Sequence, residues 1–428
     1  MTKPAAPPPS AAAAAGALTD HQKRVVIPVL LVVLSWVGTV AMTAYVPSLP
    51  ALPGYFGTTA GTAQLTVTLF LLGFAAGQLS YGPFSDRYGR RPVLIAGMTL
   101  FFAASILCTV APSIEVLIAG RFLQGTGATA GFAMSAIVIR DLYEREQAAR
   151  IMGYVQAAGS SAPAFGPLIG GQFEQYLSWH WTFGFMALLA GGLLAAIIAR
   201  LPETNDRRNP RALDMRILLG NYRNVYSSRL FIGYAIIIGA SSAGILSFTT
   251  GGSFYFIDWL GYSPQFFAIF PAFNVIAMVS GALLAGRYST RLGITRMLAI
   301  GTGLTLLGGL ATAAIGWAPI ASSGIAGVVG FTLPFMVFLL GMGICQPNAM
   351  AGALAPYRAM AGLAGSGVGI LGMAFSMAAS TGISLLNNDN GSPLPMVTAI
   401  GLCGLLSFLA FRFVVRPLES KTPKSGHR

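Results

Sequence analysis

The sequence predicts an all-α membrane protein with twelve transmembrane helices in two pseudo-symmetric six-helix bundles. Composition, the spacing of apolar segments and the placement of basic residues each support this fold class. Of the 428 residues, 54% are hydrophobic and only 9% are charged, whereas soluble domains carry roughly 25% charged residues. A bilayer accepts the apolar outer surface that such a composition produces.

Apolar segments of spanning length recur along the whole chain. A spanning helix needs roughly 20 apolar residues, and the 53 glycines suit closely packed membrane helices. The predicted spans are residues 25–47, 62–82, 92–111, 114–139, 150–172, 179–201, 229–251, 264–285, 294–315, 322–346, 359–386 and 393–416.

Basic residues predict the orientation, because loops rich in Lys and Arg stay in the cytoplasm. They occur in the even-numbered connections and in both terminal segments, and the odd-numbered connections have none. We therefore expect both termini and all even loops to be cytoplasmic. A missed span would disturb this alternation, so the alternation also supports the span count.

The longest polar segment, residues 202–228, divides the chain into two halves. We expect a cytoplasmic linker there, between bundles at 25–201 and 229–416, with disordered or polar cytoplasmic tails at 1–24 and 417–428. The sequences GPFSDRYG and GRYSTRLG follow equivalent spans and match at Gly, Ser, Arg and Gly. Facing six-helix repeats of this kind enclose a midplane site in one large class of transporters.

Composition and motifs exclude several other classes. The basic residues lie in short runs between apolar segments and not on one face of a soluble fold, so the net charge of +13 does not indicate a nucleic-acid partner. The three cysteines lie inside apolar stretches and form neither a disulfide framework nor a metal site. The sequence has no paired mid-helix carboxylates and no phosphate-binding loop. We expect no enzyme activity, no cofactor and no metal.

Three stretches carry a family resemblance. GPFSDRYGRR at 82–91 resembles the signature loop of the major facilitator superfamily, and RFLQG at 121–125 resembles its fourth-helix motif. APAFGPLIGG at 162–171 resembles the fifth-helix motif of its antiporters. With YVPSLP, SWHW and LPET at 45–50, 178–181 and 201–204, the pattern is similar to drug:proton antiporters of the bicyclomycin/chloramphenicol type.

The resemblance implies a secondary active exporter in a bacterial inner membrane. It would exchange protons for a small drug-like molecule or an endogenous metabolite, and we expect it to act as a monomer. A facilitator or importer of a metabolite, a siderophore exporter and a membrane receptor stay open as alternatives. In such exporters an acidic residue commonly occupies the first-helix position where this chain has Thr43, so the resemblance gives no first-helix proton site.

The signature stretch predicts a conformational latch formed by Gly82, Asp86, Arg87, Gly89, Arg90 and Arg91. The two glycines permit tight turns, and the carboxylate can face the positive end of a helix. The arginines can bind acidic or carbonyl partners on neighbouring helix ends. In the family this cluster holds the cytoplasmic side closed; the alternative is a loop whose basic residues serve topology alone.

The fifth-helix stretch predicts an antiporter seal formed by Pro163, Gly166, Pro167, Gly170 and Gly171. Proline bends a helix, and glycine lets a neighbouring backbone approach closely. The resemblance implies a seal between spans 5 and 8 that limits leak. Ordinary packing of small residues is the alternative.

Arg121 lies about seven residues inside span 4, where an unpaired cation costs several kcal/mol. Gln124 shares its helix face and can orient it, whereas Glu115, six residues earlier, lies on another face. We expect Arg121 to face the cavity, to favour neutral or anionic substrates, and to leave Glu115 or Asp258 as the proton-coupling acid. The alternative is that Arg121 binds backbone carbonyls and joins spans 1 and 4.

Other polar side chains in the middle of spans either join helices or line a cavity. The candidates are Thr43, Met42, Gln78, Gln124, Gln156, Asn274, Gln346 and Asn348. Aromatic residues at 248, 255, 256, 270 and 273 are candidates for an aromatic wall.

Overall fold

The computed structural model describes residues 19, 21–205, 208–210, 215–318, 324–387 and 392–421. Across these ranges the chain is helical, with no β-strand. Twelve helices in these ranges have 17 or more residues, and we label them α1 to α12. The first six are α1 (Ile27–Thr43), α2 (Ala60–Tyr88), α3 (Arg90–Thr109), α4 (Ile114–Leu142), α5 (Arg145–Tyr176) and α6 (Trp179–Arg200). The others are α7 (Arg229–Ser253), α8 (Phe270–Leu292), α9 (Ile294–Gly316), α10 (Gly324–Leu354), α11 (Ala361–Leu386) and α12 (Leu394–Ala410).

Eleven helices of the described residues are long and apolar enough to cross a membrane. The predicted span 150–172 differs, because its helix α5 contains Gly159, Ser161, Pro163 and Pro167, which lower its apolarity. With 32 residues, α5 is roughly 48 Å long at 1.5 Å per residue. Length and composition together therefore support eleven spans. The helix α5 is long enough to be a twelfth span but is less apolar.

The packing of the helices repeats between α1–α6, the first half, and α7–α12, the second half. The pairs α2–α4, α3–α4, α1–α5 and α3–α6 recur as α8–α10, α9–α10, α7–α11 and α9–α12. This repetition matches the repeat predicted from the sequence. Between the halves, the main contacts join α2 to α11 and α5 to α8.

Large apolar side chains are exposed on helices of both halves. Leu188 in α6, Leu307 in α9 and Leu402 in α12 are each more than half exposed. Such surfaces are unfavourable in water but suit the hydrocarbon core of a bilayer. The protein is therefore a multi-pass membrane protein.

Helical structure extends into two segments predicted as a tail and a linker. It begins at Gln22, inside the predicted tail 1–24, of which residues 1–18 and 20 lie outside the described residues. The predicted linker 202–228 contains the helix Met215–Tyr226. This helix is attached to α11 because the Tyr226 hydroxyl donates to the Gly367 carbonyl oxygen at 2.9 Å.

The second predicted tail, 417–428, also begins as a helix, Arg416–Lys421. The Glu419 carboxylate accepts hydrogen bonds from Tyr234 in α7 and Thr295 in α9, which attach the segment to the second half. Residues 422–428 lie outside the described part of the chain.

Candidate functional site

A cavity lies where the two halves meet beside α5 and α8. The first half contributes α1, α5 and Val46; the second contributes α7, α8 and the short helix Pro264–Phe267. Because its walls belong to different halves, a movement of one half against the other reshapes the cavity.

The lining of the cavity is mostly apolar. Three side chains are polar: Thr43, Thr249 and Asn274. None of the described residues that line the cavity is charged. The apolar lining consists of Val46, Ile245, Phe248, Phe267, Val275 and Met278, with three prolines at 163, 167 and 271.

Thr43 ends α1 at the cavity wall. Its hydroxyl lies 3.4 Å from the carbonyl oxygens of Val40 and Ala162, so it joins α1 to α5. The position therefore supplies a neutral, non-titrating hydroxyl.

The predicted seal glycines pack mainly on α1. A Cβ at Gly166 would overlap the Thr43 hydroxyl, and one at Gly170 would overlap the Ala44 carbonyl oxygen. Gly171 alone faces the second half, where a Cβ would lie 2.9 Å from the Ala268 Cβ. The predicted contact between spans 5 and 8 thus involves Gly171 and the segment before α8, while Pro163 and Pro167 line the cavity.

The halves close on each other at the end of α2 that lies away from residues 82–91. A Cβ on Gly61 would overlap the Ser384 carbonyl oxygen of α11. The Ser380 hydroxyl lies 2.7 Å from the Thr68 hydroxyl and 3.0 Å from the Thr250 hydroxyl, which joins α2, α11 and α7. We call these five residues the α2–α11 seam. Sequence reasoning did not select it, because isolated small and hydroxyl residues are common throughout membrane helices.

Arg121 lies in the core of the first half and does not face the cavity, contrary to the expectation from the sequence. Its side chain is 0% exposed. The guanidinium carbon lies 4.1 Å from the ring centres of both Tyr45 and Phe70, and Nη1 donates to the Ala41 carbonyl oxygen at 3.1 Å. Aromatic faces attract a cation, so these rings hold it inside the helix packing. Its contacts join α4 to α1, which is the alternative weighed from the sequence.

No carboxylate pairs with Arg121 among the described residues, whose ion pairs involve Arg90. Gln124 accepts from Nη1 and donates to the Ser105 hydroxyl at 2.9 Å, so it orients the cation without neutralising it. The guanidinium Nε and Nη2 are buried without a hydrogen-bond partner.

The two acids proposed for proton coupling lie at helix ends. Glu115 is exposed in the first turn of α4, and Asp258 is exposed in the short helix Phe254–Trp259 after α7. Neither lines the cavity, and neither forms an ion pair with Arg121. The structure therefore does not bring Glu115 or Asp258 together with Arg121, Gln124 or Thr43.

The signature stretch contains one turn and not two. Gly89 has a φ of +109°, which a side chain would strain, and it separates α2 from α3. Gly293, its counterpart in the second repeat, has a φ of +80° between α8 and α9. The predicted turn at Gly82 is wrong, because this residue lies inside α2 with open space beside its Cα.

The charges of this stretch connect α2, α3 and α4. Arg90 is largely buried and binds the Asp86 carboxylate at 2.5 Å and the Asp141 carboxylate at 3.0 Å. Arg91 donates to the Ile198 carbonyl oxygen of α6 at 2.8 Å, whereas Arg87 is exposed beside the Tyr88 ring. The cluster ties together helices of the first half.

Glu203, and not Asp86, is the acid whose carboxylate faces the positive end of a helix. Its carboxylate accepts from the backbone N–H groups of Arg90 and Arg91, at 2.8 and 3.3 Å, and so caps the positive end of α3. Glu203 follows α6, which returns the chain to this end of the first half. The sequence shows an acid shortly after a spanning helix, which could have marked Glu203 as a candidate. It does not show which helix end this acid caps, because that depends on the tertiary fold.

The other polar candidates divide into cavity and packing residues. Asn274 lines the cavity with Thr43, and Phe248 is part of its aromatic wall. Asn348 instead binds the Ser289 hydroxyl and the Ile344 carbonyl oxygen, and Gln346 donates to the Ser242 hydroxyl at 3.3 Å. The side chain of Gln156 lies outside the described residues. Thr249 and Met278 line the cavity without having been predicted to do so.

A comparison with protein families identifies the architecture. The model described as Major Facilitator Superfamily matches residues 31–383, which include both repeats. The chain belongs to the major facilitator superfamily. This is a family of transporters, so the protein is a transporter and not an enzyme.

Curated relatives of this major facilitator include several proteins named for resistance. The bicyclomycin resistance protein homolog of Haemophilus influenzae is 29% identical over 397 residues, covering 91% of this chain and 96% of the relative. Multidrug resistance protein D of Escherichia coli is 30% identical over 390 residues, with the same coverage of each chain. The chloramphenicol resistance protein of Pseudomonas aeruginosa is 32% identical over 331 residues, covering 76% and 75%. The resemblance to resistance exporters of this type is confirmed.

Solved major facilitator structures share the fold. A D-xylose–proton symporter superposes with a TM-score of 0.66 at 16% identity, covering 91% of this chain and 97% of the other. A bacterial homolog of the human lysosomal transporter Spinster, in an inward-facing and unoccupied conformation, gives a TM-score of 0.69 at 11% identity, with 92% and 98% covered.

Proposed function

We propose that this major facilitator exports a small, uncharged drug-like molecule or endogenous metabolite across a bacterial inner membrane in exchange for protons. The observation that carries this proposal is the apolar cavity between the halves, to which both halves contribute walls. Relatives named for bicyclomycin, chloramphenicol and multidrug resistance support export of such molecules. The uncharged lining favours a neutral cargo over the anionic one that Arg121 suggested.

The proposal includes twelve spans in two six-helix bundles, with α5 as the fifth, and a protein that works as a monomer. The basic residues of the even connections support cytoplasmic termini. With that orientation the α2–α11 seam lies on the outer side. The seam then closes the outer side in this conformation, and export by alternating access requires it to open while the cytoplasmic side closes.

A facilitator is the second candidate, and one observation favours it. No side chain among the described cavity-lining residues titrates, and Thr43 occupies the usual place of the first-helix acid. Glu115 and Asp258 are then the acids left for coupling, both near helix ends. A facilitator would move the same cargo without concentrating it.

Transport in inverted vesicles separates the two candidates. We expect radiolabelled chloramphenicol to accumulate inside vesicles whose interior is one pH unit more acidic than the medium. Exchange of one proton per molecule sustains about a tenfold gradient under that force. Accumulation should vanish when nigericin collapses the pH gradient and in vesicles without the protein. A facilitator would instead bring chloramphenicol to equal concentrations on both sides of the membrane, and faster than in vesicles without the protein.

The latch proposal for Asp86, Arg90 and their neighbours predicts a strong effect of Asp86→Asn. The change removes one of the two carboxylates bound to Arg90 and leaves that largely buried cation with Asp141 and the Ser85 hydroxyl. Loss of a charged hydrogen-bond partner costs about 1.5–3 kcal/mol, so we expect vesicle transport to fall about tenfold or more. Insertion, measured by the amount of folded protein in the membrane, should be unchanged.

Glu144→Gln is the matched control, because it neutralises an exposed acid outside any described ion pair. It should transport like the wild type. Wild-type transport by a well-expressed Asp86→Asn protein would show that the signature stretch serves topology alone.

A further inference from the structure

Asn274 is the least satisfied polar side chain of the cavity wall. It lies in the second turn of α8, lines the cavity and is only 5% exposed. Its amide forms no hydrogen bond with a described residue, whereas Asn348, the comparably buried amide of α10, forms two. The nitrogen and oxygen of this amide stay accessible at the cavity wall, so a group inside the cavity is the natural hydrogen-bond partner for Asn274.

The two cavity threonines do not offer the same chemistry. The Thr249 hydroxyl donates to the Ile245 carbonyl oxygen at 3.1 Å. The Thr43 hydroxyl is directed at the carbonyl oxygens of Val40 and Ala162. Each hydroxyl has a single hydrogen, so these threonines can accept from a ligand but have no hydrogen left to donate. The amide of Asn274 is therefore the one lining side chain, among those described, with free N–H donors.

The aromatic wall of the cavity is held in place by packing. The ring of Phe248 lies 6.0 Å from Phe267 and 5.1 Å from Phe335, measured between ring centres, and Phe248 is 4% exposed. A preformed apolar surface with one polar group fixes the orientation of a small ligand.

We infer that Asn274 is the specificity-determining residue of the cavity, and that it selects uncharged solutes carrying a carbonyl or similar acceptor oxygen. This inference rests on the proposed export function. The Asn274 amide donates to the acceptor oxygen, while the apolar lining covers the rest of the solute. A cation finds no carboxylate here and an anion no cationic side chain, so both lose hydration without compensation.

Binding to the purified full-length protein tests this directly. The probes are chloramphenicol, which is uncharged and has an amide carbonyl, and ethidium, a cation without a carbonyl. Asn274→Leu keeps the approximate size of the side chain and removes its donors, and Asn274→Gln retains an amide. Asn224→Leu, the same change at an exposed asparagine that does not line the cavity, is the matched control. Vesicle transport of both probes is measured beside the dissociation constants.

We expect Asn274→Leu to bind chloramphenicol about tenfold more weakly, the factor that corresponds to loss of one hydrogen bond near 1.4 kcal/mol. Asn274→Gln should recover part of the affinity, and Asn224→Leu should change it less than about twofold. The wild type should bind ethidium more weakly than chloramphenicol. Unchanged chloramphenicol binding by Asn274→Leu, or tighter binding of ethidium, would overturn the inference.

The transport arm separates this inference from the proposed function. If the wild type exports chloramphenicol and Asn274→Leu exports it equally well, Asn274 is not the anchor but the export function stands. If the wild type transports neither probe, the proposed export of such molecules fails, and the role of Asn274 fails with it.

Discussion

Replacing Gly170 with alanine is expected to reduce export to roughly a tenth or less, because the added methyl group overlaps the Ala44 carbonyl oxygen. The obstructing atom belongs to the backbone of α1 and cannot rotate away. Insertion of a methyl group into tight packing typically costs about 1–3 kcal/mol. To relieve the overlap, α5 must move from α1, and Pro163 and Pro167 move with it at the cavity wall. Export is measured in vesicles, and stability by thermal unfolding of the purified protein.

Gly159→Ala is the control on the same helix. Apart from its own helix turn, no described atom lies within 4 Å of the position that its Cβ would take, and alanine favours a helix by about 1 kcal/mol over glycine. This variant should unfold at the same or a higher temperature and export normally. Normal export by Gly170→Ala would show that close packing of α5 on α1 is not required for transport.

Arg121→Met is expected to lower export by about tenfold or more while changing the free energy of unfolding little, because opposing terms nearly cancel. The variant loses the hydrogen bond to Ala41, about 1.5–3 kcal/mol, and the attraction to the Tyr45 and Phe70 rings, about 2 kcal/mol. In the wild type, burying a cation with two unpartnered nitrogen atoms costs several kcal/mol. The variant regains this free energy, because methionine is uncharged.

Export should nevertheless fall because Arg121 joins the end of α1 to α4. The Ala41 carbonyl oxygen that it binds lies two residues before Thr43, at the cavity wall. Without this bond the end of α1 loses its attachment to α4 and is held in the first half mainly by its contacts with α5. Thermal unfolding and vesicle transport of the same preparation are the measurements, and Arg412→Met, which removes an exposed arginine, is the control.

The contradicting outcomes for Arg121 are distinct. Normal export by Arg121→Met would show that the cation has no role in transport. If Arg121→Met lost both export and much of its thermal stability, Arg121 would serve packing alone. Arg121→Lys should retain part of the activity, since lysine keeps the charge but not the planar stack on two rings.

Some of the site follows from local sequence. A tight turn was predicted at Gly89, between two apolar segments, and the structure has a turn there with a positive φ. The same prediction was wrong for Gly82. Thr43 and Asn274 were selected because an amide or hydroxyl in the middle of a span needs a partner. Sequence alone did not separate them from Gln124 and Asn348, which join helices. That separation depends on which helix lies opposite each side chain.

The amino-acid sequence by itself determined the class, the apolar helices, the two repeats and the alternation of basic loops, because these depend on composition and on spacing along one chain. Only the tertiary structure decided where Arg121 points and which acid caps α3. The ring of Tyr45 lies just after α1 and the ring of Phe70 lies on α2, and Glu203 reaches α3 by way of α6. Contacts between residues 51 to 113 positions apart depend on helix packing, which no local pattern encodes.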